Sequence, residues 1–203
     1  TIGGDGLLLF ASSLFPQSCP PILPIAGGSL GFLTSFPKSS IIEASLKATG
    51  LTPSPSKVSL RLRLKCTHTR GSKILSTHTC LNECAISRSG DSLTSLSLCC
   101  DSVPLTNVQA DGIILATPTG STAYSMAAGG SVVHPGVAGL CVTPICPHVL
   151  SFRSMVFPDH VSLSIHCPEE SRSTATITYD GRNRTELGRG ETVTVEMSEY
   201  PLA

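Results

Sequence analysis

The chain has 203 residues, which is long enough to bury a hydrophobic core and allows either one domain or two small ones. Apolar residues make up 40% and charged residues 14%, a balance that excludes a solvated, disordered chain. The formal net charge is zero without a long basic run, and no apolar run approaches the ~20 residues of a membrane helix, so neither nucleic acid nor a membrane is an expected partner.

The first fifty residues are predicted to alternate between strand, turn and helix. Residues 3–6 form a glycine-rich turn, and the apolar residues 7–15 predict a helix that a proline ends. A short apolar run at residues 21–26 predicts a buried strand, and residues 40–49 predict a second helix closed by a glycine. The segment Leu51–Ser56, with two prolines and two serines, is predicted to be a linker.

Beyond the linker, apolar residues recur with a period of two, which is typical of half-buried strands. Arg61 and Arg63 would lie on the solvent face of the first of these strands. An α/β beginning followed by a strand-rich remainder predicts an α+β chain. The predicted strands are residues 58–64, 112–116, 161–165, 175–179 and 193–197.

The turn Gly3-Gly4-Asp5-Gly6 is the first chemical signal. Glycines let backbone N–H groups converge on an anion, and the dipole of the following helix favours negative charge at the same place. A carboxylate would repel phosphate there, which makes Asp5 a candidate general base or a ligand to magnesium carried by the phosphates. A plain strand-to-helix turn would explain the same four residues.

The segment Thr117–Tyr124 is a more specific signal, because it places four hydroxyl side chains around one glycine directly after a predicted strand. Such a turn can hold a ribose or a phosphate, and Tyr124 adds a stacking surface or a hydrogen bond. An elaborate helix N-cap is the alternative interpretation.

The nine cysteines are an odd number without a repeated spacing. This favours reduced thiols in a cytosol-like compartment over a disulfide framework. Cys141, Cys146, His134 and His148 crowd one region of the sequence, but their spacing fits no zinc-binding template well.

Taken together and in this order, the motifs resemble the NAD kinase family. Gly3–Gly6 matches the family's GGDG loop, and Gly28–Thr34 matches the segment that follows it. Asn82–Glu83 matches the paired Asn-Glu motif, and Asp111–Tyr124 matches the strand and hydroxyl-rich turn after it. Asp180–Arg182 is similar to the eukaryotic branch of the family.

The resemblance implies an α+β fold in two parts. Residues 1–50 would be the remnant of an N-terminal α/β (Rossmann-like) domain that carries the ATP side and the GGDG loop. Residues 57–185 would be a β-rich, sandwich-like domain that binds NAD, and residues 186–203 a tail that returns to the α/β domain.

The resemblance also implies a function, namely ATP-dependent phosphorylation of the 2′-hydroxyl of the adenosine ribose of NAD to give NADP. Asp5 would accept the proton, Gly3, Gly4 and Gly6 would form the phosphate loop, and Mg²⁺ would arrive with ATP without an assigned protein ligand. The family forms homo-oligomers. The implied NAD contacts are Asp5, Gly6, Asn82, Glu83, Asp111, Thr119, Gly120, Ser121, Thr122, Ala123 and Tyr124.

Several residues depart from the family pattern. Leu7 stands where the family usually has Thr, Ser87 where it has Asp, and Ala110 where it has Gly. These departures keep open a catalytically dead nucleotide-binding remnant. A lipid kinase with a GGDG loop is a second alternative, although that class lacks the pairing of the Asn-Glu motif with the hydroxyl-rich turn. The expected compartment is the cytoplasm, with the chloroplast as the alternative.

The family's first strands and helices precede the GGDG loop and are expected upstream of Thr1. Ile2 would end a strand whose parallel neighbours also lie upstream. We therefore expect a chain that begins at Thr1 to be nearly inactive, and restoration of the upstream segment to rescue it.

Overall fold

The computed structural model describes residues 1–53, 57–90, 92–149 and 151–203. Residues 54–56 of the predicted linker therefore lie outside the described residues. The chain divides into two compact units, Thr1–Arg61 with Tyr200–Ala203, and Leu62–Glu199.

The first unit has alternating strands and helices, as an α/β segment does. Its three short strands form one parallel sheet in the order β1-β2-β3. Parallel strands need long crossover connections, and the α1 helix with the loop after it supplies the first of these. The elements are β1 (Ile2–Gly3), α1 (Asp5–Ser13), β2 (Ile25–Ala26), β3 (Phe36–Pro37) and α2 (Ile41–Ala48).

The boundaries in this unit differ from the predicted ones for local reasons. The strand predicted over residues 21–26 shortens to β2, because Pro21 and Pro24 have no N–H to donate to a ladder. The α1 helix begins two residues earlier than predicted, so Asp5 is its first residue. Gly50, with φ of +73°, follows α2 in the left-handed conformation that ends many helices.

One expectation about β1 is wrong. A parallel neighbour of this strand lies downstream and not upstream, since Ile2 pairs with Ile25 and Gly3 with Ala26 of β2. The glycine turn is thus anchored on one side by residues of this chain.

The second unit is built almost entirely from antiparallel strands. Its first sheet has the order β11-β10-β9-β6-β13-β14, and its second has the order β5-β4-β15-β12-β7-β8. One short helix, α3 (Tyr124–Ala127), follows β9. The strands are β4 (Leu64–Arg70), β5 (Lys73–Cys80), β6 (Glu83–Arg88), β7 (Thr94–Cys100), β8 (Val103–Ala110), β9 (Gly112–Ala116), β10 (Gly139–Ile145), β11 (Met155–Pro158), β12 (Leu163–His166), β13 (Ala175–Tyr179), β14 (Arg182–Leu187) and β15 (Glu191–Met197).

The core of this unit is shared by its two sheets. Ile86, Ile113 and Ile177 of the first sheet and Leu163 and Val193 of the second are fully buried in one hydrophobic cluster. Alternating inward side chains from two facing sheets are the arrangement of a β-sandwich. The predicted fold class, an α/β segment followed by a β-rich sandwich, is confirmed.

The strand predicted over residues 58–64 is wrong except for its last residue. Val58 and Leu60 are 60% and 64% exposed, and before Leu64 the backbone of the described residues of this stretch makes only a bridge between Arg61 and Leu202 and a single bond from the Ser198 N–H to the Arg63 carbonyl. Alternation alone does not form a strand without a neighbour to complete the ladder. Arg63, directly before β4, is completely buried and therefore does not lie on a solvent face.

The sequence places the return of the tail at residue 186, whereas the structure places it at Tyr200. The reason is that β15 pairs with β4 and β12 in the middle of the second sheet.

Among the described residues, none of the helices combines the length and apolar character that crossing a bilayer demands.

Candidate active site

In the first unit, the predicted base stands at the beginning of a helix. Gly4 is the N-cap of α1 without a side-chain bond, and Asp5 is the acidic residue of its first turn, where the helix dipole favours a carboxylate. The Asp5 carboxylate accepts hydrogen bonds from backbone groups of Phe32, Leu33 and Thr34. The segment that matches the family after the GGDG loop thus holds the predicted base.

In the second unit, the predicted NAD-binding pair lies where a tightly held bend enters β6, with Asn82 in the bend and Glu83 as the first residue of the strand. The Asp180 carboxylate accepts three backbone N–H bonds, from Leu81 at 2.8 Å, Asn82 at 2.8 Å and Glu83 at 3.0 Å. The Asp180 N–H in turn donates to the Glu83 carbonyl at 2.9 Å. A residue at the end of β13 therefore fixes the backbone of both predicted binding residues.

The hydroxyl-rich turn after β9 holds the same bend from its other side. The Thr117 hydroxyl donates to the Leu81 carbonyl at 2.6 Å, and the Thr117 N–H donates to the Asn82 carbonyl at 2.9 Å. Gly120 lies so close that a methyl group on it would come within 2.5 Å of the Asn82 carbonyl carbon. The structure therefore brings Asn82, Glu83 and this turn together.

Glu83 is the most unusual acid of the site. Its side chain is buried with 6% exposure, and among the described residues its Oε2 has no hydrogen-bond partner. Burial, with a smaller contribution from the Asp180 charge, raises the pKa of Glu83 to about 7. A buried acceptor without a donor costs free energy, so this oxygen is a place where a bound hydroxyl would be stabilising.

The raised pKa of Glu83 predicts how stability changes with pH. The folded state holds a proton that the unfolded state releases between pH 4.5 and about 7, so the free energy of unfolding should fall as pH rises through this range. The full effect of Glu83 is on the order of 3 kcal/mol. Urea unfolding of wild type and Glu83→Gln at pH 5 and pH 8 measures this effect. Glutamine does not titrate, so we expect the free energy of unfolding to fall less for the variant than for wild type between pH 5 and pH 8. Equal pH dependence in the two proteins would contradict the assignment.

Several hydroxyls of the turn stabilise the turn itself. Ser121 is fully buried, and its hydroxyl donates to the Pro118 carbonyl at 2.6 Å and accepts from the Val133 N–H at 2.9 Å. The Thr122 hydroxyl donates to the Thr119 carbonyl at 3.2 Å. These bonds stabilise the turn without capping a helix, because neither Thr119 nor Ala123, the N-cap residues of the two short helices of the motif, makes a side-chain capping bond. Tyr124 is 44% exposed.

Asp111 lies away from the rest of this group. It precedes β9, whereas Asn82 and the turn contact the end of that strand, and five strand residues span about 16 Å. Its Oδ1 is 3.0 Å from the Nε of Arg88 in an ion pair at the far end of β6. The second unit therefore does not bring Asp111 to the bend that carries Glu83.

Sequence reasoning missed the role of Asp180. Asp180 and Gly181 form a turn, with φ values of +49° and +69°. The signal that was present is the Asp itself, because a carboxylate at the end of a strand in a left-handed conformation can reach several backbone N–H groups of a neighbouring loop. The loop that it holds lies far away in sequence, which no local pattern reveals.

The cysteines give no metal site in the structure. All nine are free, and Cys141 is buried while Cys146 is exposed. Within the described ranges, no three His, Cys, Asp or Glu side chains are grouped so that they could hold a metal ion.

Comparison with known proteins connects the two units to one family. Residues 1–49 match the ATP-NAD kinase N-terminal domain, and residues 81–203 match the ATP-NAD kinase C-terminal domain. The ATP-NADH kinase YEF1 of Saccharomyces cerevisiae is 43% identical over 218 residues, covering 100% of this chain and 43% of that protein. The chloroplastic NAD kinase 2 of Arabidopsis thaliana is 43% identical over 211 residues, covering 99% of this chain and 21% of that protein.

A solved structure agrees with these relatives. Yeast NADH kinase complexed with NADH matches with a TM-score of 0.92 and 34% identity, covering 100% of this chain and 59% of that one. The chain thus spans less than two thirds of the length of each of these proteins. With matches to both domains in the expected order and over most of its length, the chain belongs to the ATP-NAD kinase family.

Proposed function

We propose that the protein is an NAD kinase, which transfers the γ-phosphoryl group of ATP to the 2′-hydroxyl of the adenosine ribose of NAD and releases NADP and ADP. Family membership and the resemblance of the site motifs support this reaction. The NADH bound to the yeast relative supports a pyridine dinucleotide as the acceptor.

The observation that carries the proposal is the buried Oε2 of Glu83, which has no hydrogen-bond partner within the described part of the chain and lies on a bend that Asp180 and Thr117 hold in place. A ribose hydroxyl is small and polar and would donate the hydrogen bond that this oxygen does not receive from the described residues. Asn82, beside it, offers an amide for the same dinucleotide. A preformed backbone keeps the ordering cost of binding low.

In the proposed reaction, Asp5 of the first unit acts as the general base. The ribose hydroxyl oxygen forms a bond to the γ-phosphorus, and the bond between that phosphorus and the bridging oxygen of ADP breaks. The hydroxyl proton passes to the Asp5 carboxylate, and ADP leaves with the electron pair. A positioned carboxylate typically contributes ~10²–10⁴-fold, and the remaining acceleration comes from alignment and charge neutralisation.

Magnesium is part of the ATP substrate in this proposal. Mg²⁺ usually keeps several waters and is held by substrate phosphates with one or two carboxylates. The glycine turn offers the Asp5 carboxylate beside the N-terminus of α1, a donor set that suits a phosphate with its own cation. Gly3, Gly4 and Gly6 would line the phosphates.

The remaining dinucleotide contacts are proposed at Thr119–Tyr124. The exposed ring of Tyr124 can stack on a base, whereas the hydroxyls of Ser121 and Thr122 are engaged in the turn. Asp111 stays in the proposal as an NAD contact on the basis of the family resemblance alone.

We also propose that the protein forms a homo-oligomer, which sedimentation of the full-length protein tests. We propose a cytoplasmic location, with the chloroplast as the alternative, and imaging of a fluorescently tagged protein distinguishes the two.

The experiment that tests the function is an acceptor panel. Full-length protein is incubated with MgATP and NAD, NADH, diacylglycerol or sphingosine, and products are identified by mass spectrometry with fragmentation of the ribose. We expect phosphate on the adenosine ribose of the dinucleotides. Phosphorylation of a lipid alone, or ATP hydrolysis without a phosphorylated acceptor, would contradict the proposal.

A further inference from the structure

The Asp5 carboxylate is enclosed by a ring of hydrogen bonds from a loop far along the chain. Its Oδ2 accepts from the Phe32 N–H at 2.9 Å, and its Oδ1 accepts from the Leu33 N–H at 3.1 Å. Oδ1 also accepts from the N–H and the hydroxyl of Thr34, both at 3.2 Å. The Thr34 oxygen itself accepts from the Gly31 N–H at 2.9 Å, which closes the ring.

The two oxygens of the Asp5 carboxylate accept different numbers of hydrogen bonds. A carboxylate offers about four acceptor sites, two on each oxygen. Among the described residues, Oδ1 accepts from three donors, which must share its two sites, whereas Oδ2 accepts from one donor and keeps one site for a further hydrogen. The loop thus defines which oxygen of Asp5 is open to a substrate.

Gly31 makes this arrangement possible because it has no side chain. A methyl group on Gly31 would collide with Oδ1 of Asp5 and would lie 2.6 Å from Cγ and 2.7 Å from Oδ2. The carboxylate could escape only by rotating away, which would break the four hydrogen bonds that hold it. Gly28, in the same loop, has no atom of the described residues within 4 Å of the equivalent position.

Thr34 contributes through its hydroxyl. The side chain is buried with 1% exposure, and the hydroxyl joins the Gly31 N–H to Oδ1 of Asp5. Replacement by valine would keep the shape and leave that N–H without an acceptor and Oδ1 with one donor fewer. A buried group left without its partner costs about 1–3 kcal/mol, so the loop would be expected to shift.

We propose that Gly31 and Thr34 are positioning residues, which orient Asp5 so that its Oδ2 receives the proton of the attacking ribose hydroxyl. This inference rests on the proposed function, in which Asp5 is the base. Neither residue touches the substrate in this account. They act on the turnover rate through the carboxylate, since a misplacement of about 1 Å can cost up to ~10²-fold.

The test compares Gly31→Ala and Thr34→Val with the matched controls Gly28→Ala and Thr34→Ser in the full-length protein. We expect Gly31→Ala to lower kcat about tenfold or more and Thr34→Val to lower it severalfold, with KM for NAD within about twofold of wild type. Both controls should stay near wild type, because Gly28→Ala meets no neighbour and Thr34→Ser keeps the hydroxyl. Thermal unfolding of each variant establishes that it is folded, and if Gly31→Ala unfolds, the Thr34 pair decides.

The outcomes separate this inference from the proposed function. If Asp5→Asn lowers kcat but Gly31→Ala and Thr34→Val do not, the positioning role is wrong and the function stands. If the two variants raise KM for NAD without lowering kcat, the loop binds substrate and the inference is again overturned. If Asp5→Asn itself leaves kcat unchanged, the proposed base is wrong, and positioning of it has no meaning for catalysis.

Discussion

Replacement of Asp5 by asparagine is expected to lower kcat by at least ~10²-fold while the Kd for NAD stays within about twofold. Asparagine has nearly the same shape and cannot accept a proton from the ribose hydroxyl. Its carbonyl oxygen can still accept from Leu33 and Thr34 in place of Oδ1, so the loop keeps most of its bonds. The expected loss therefore concerns the chemical step.

Calorimetric titration with NAD and steady-state kinetics of the same Asp5→Asn preparation measure the two quantities. The thermal midpoint serves as the control for folding, because the amide nitrogen would face the Phe32 N–H that Oδ2 now satisfies. An unchanged kcat would remove Asp5 from the chemistry. A parallel loss of NAD affinity and stability would mean that Asp5 matters mainly for the loop that it anchors.

Replacement of Gly120 by alanine is expected to have the second largest effect, and this effect should fall on NAD binding. The added methyl group would meet the backbone of Asn82, 2.5 Å from its carbonyl carbon and 2.7 Å from its Cα. The methyl group would be fixed to the Gly120 backbone and would meet the Asn82 backbone, and neither can rotate away as a side chain can. The bend that carries Asn82 and Glu83 must therefore move. Overpacking of this kind costs about 1–3 kcal/mol, which corresponds to roughly a 5- to 150-fold increase in KM for NAD if the whole cost falls on the NAD-bound state.

The control for Gly120→Ala is Gly90→Ala in the same unit, where the methyl group meets none of the described residues within 4 Å. We expect the control to keep the wild-type KM for both substrates. An equal rise in KM for NAD and for ATP in Gly120→Ala would indicate a general folding defect and contradict a specific effect on the bend.

The sequence predicts those parts of the fold that depend on neighbours along the chain. The strand over residues 112–116 appears with the predicted bounds, and Gly50, the glycine predicted to close the second helix, has the positive φ that glycine permits. The strand predicted at residues 58–64 failed because a strand depends on a partner, and alternation in one segment contains no information about its partner. The same limit explains why β15 was assigned to the returning tail.

The site also has a part that the sequence predicts and a part that it does not. The resemblance identified Asn82, Glu83 and the hydroxyl-rich turn, and the structure brings them together in the second unit. It did not indicate that Asp180 holds the bend or that Oε2 of Glu83 lacks a partner, because both facts depend on contacts between residues distant in sequence. The hydroxyls of Ser121 and Thr122 look alike in sequence to ligand-binding groups, and only their hydrogen bonds assign them to the turn.

The measurement that tests the central claim most directly is a single-turnover transfer of label. Full-length protein in excess over NAD is mixed with ATP carrying ³²P in the γ-position, and the products are separated after rapid quenching. We predict that one labelled phosphate appears on the adenosine ribose of each NAD, and that Asp5→Asn abolishes this transfer while NAD remains bound. Label that stays in ATP or appears only as free phosphate, with NAD bound to the wild-type protein, would show a nucleotide-binding protein without kinase activity and contradict the account.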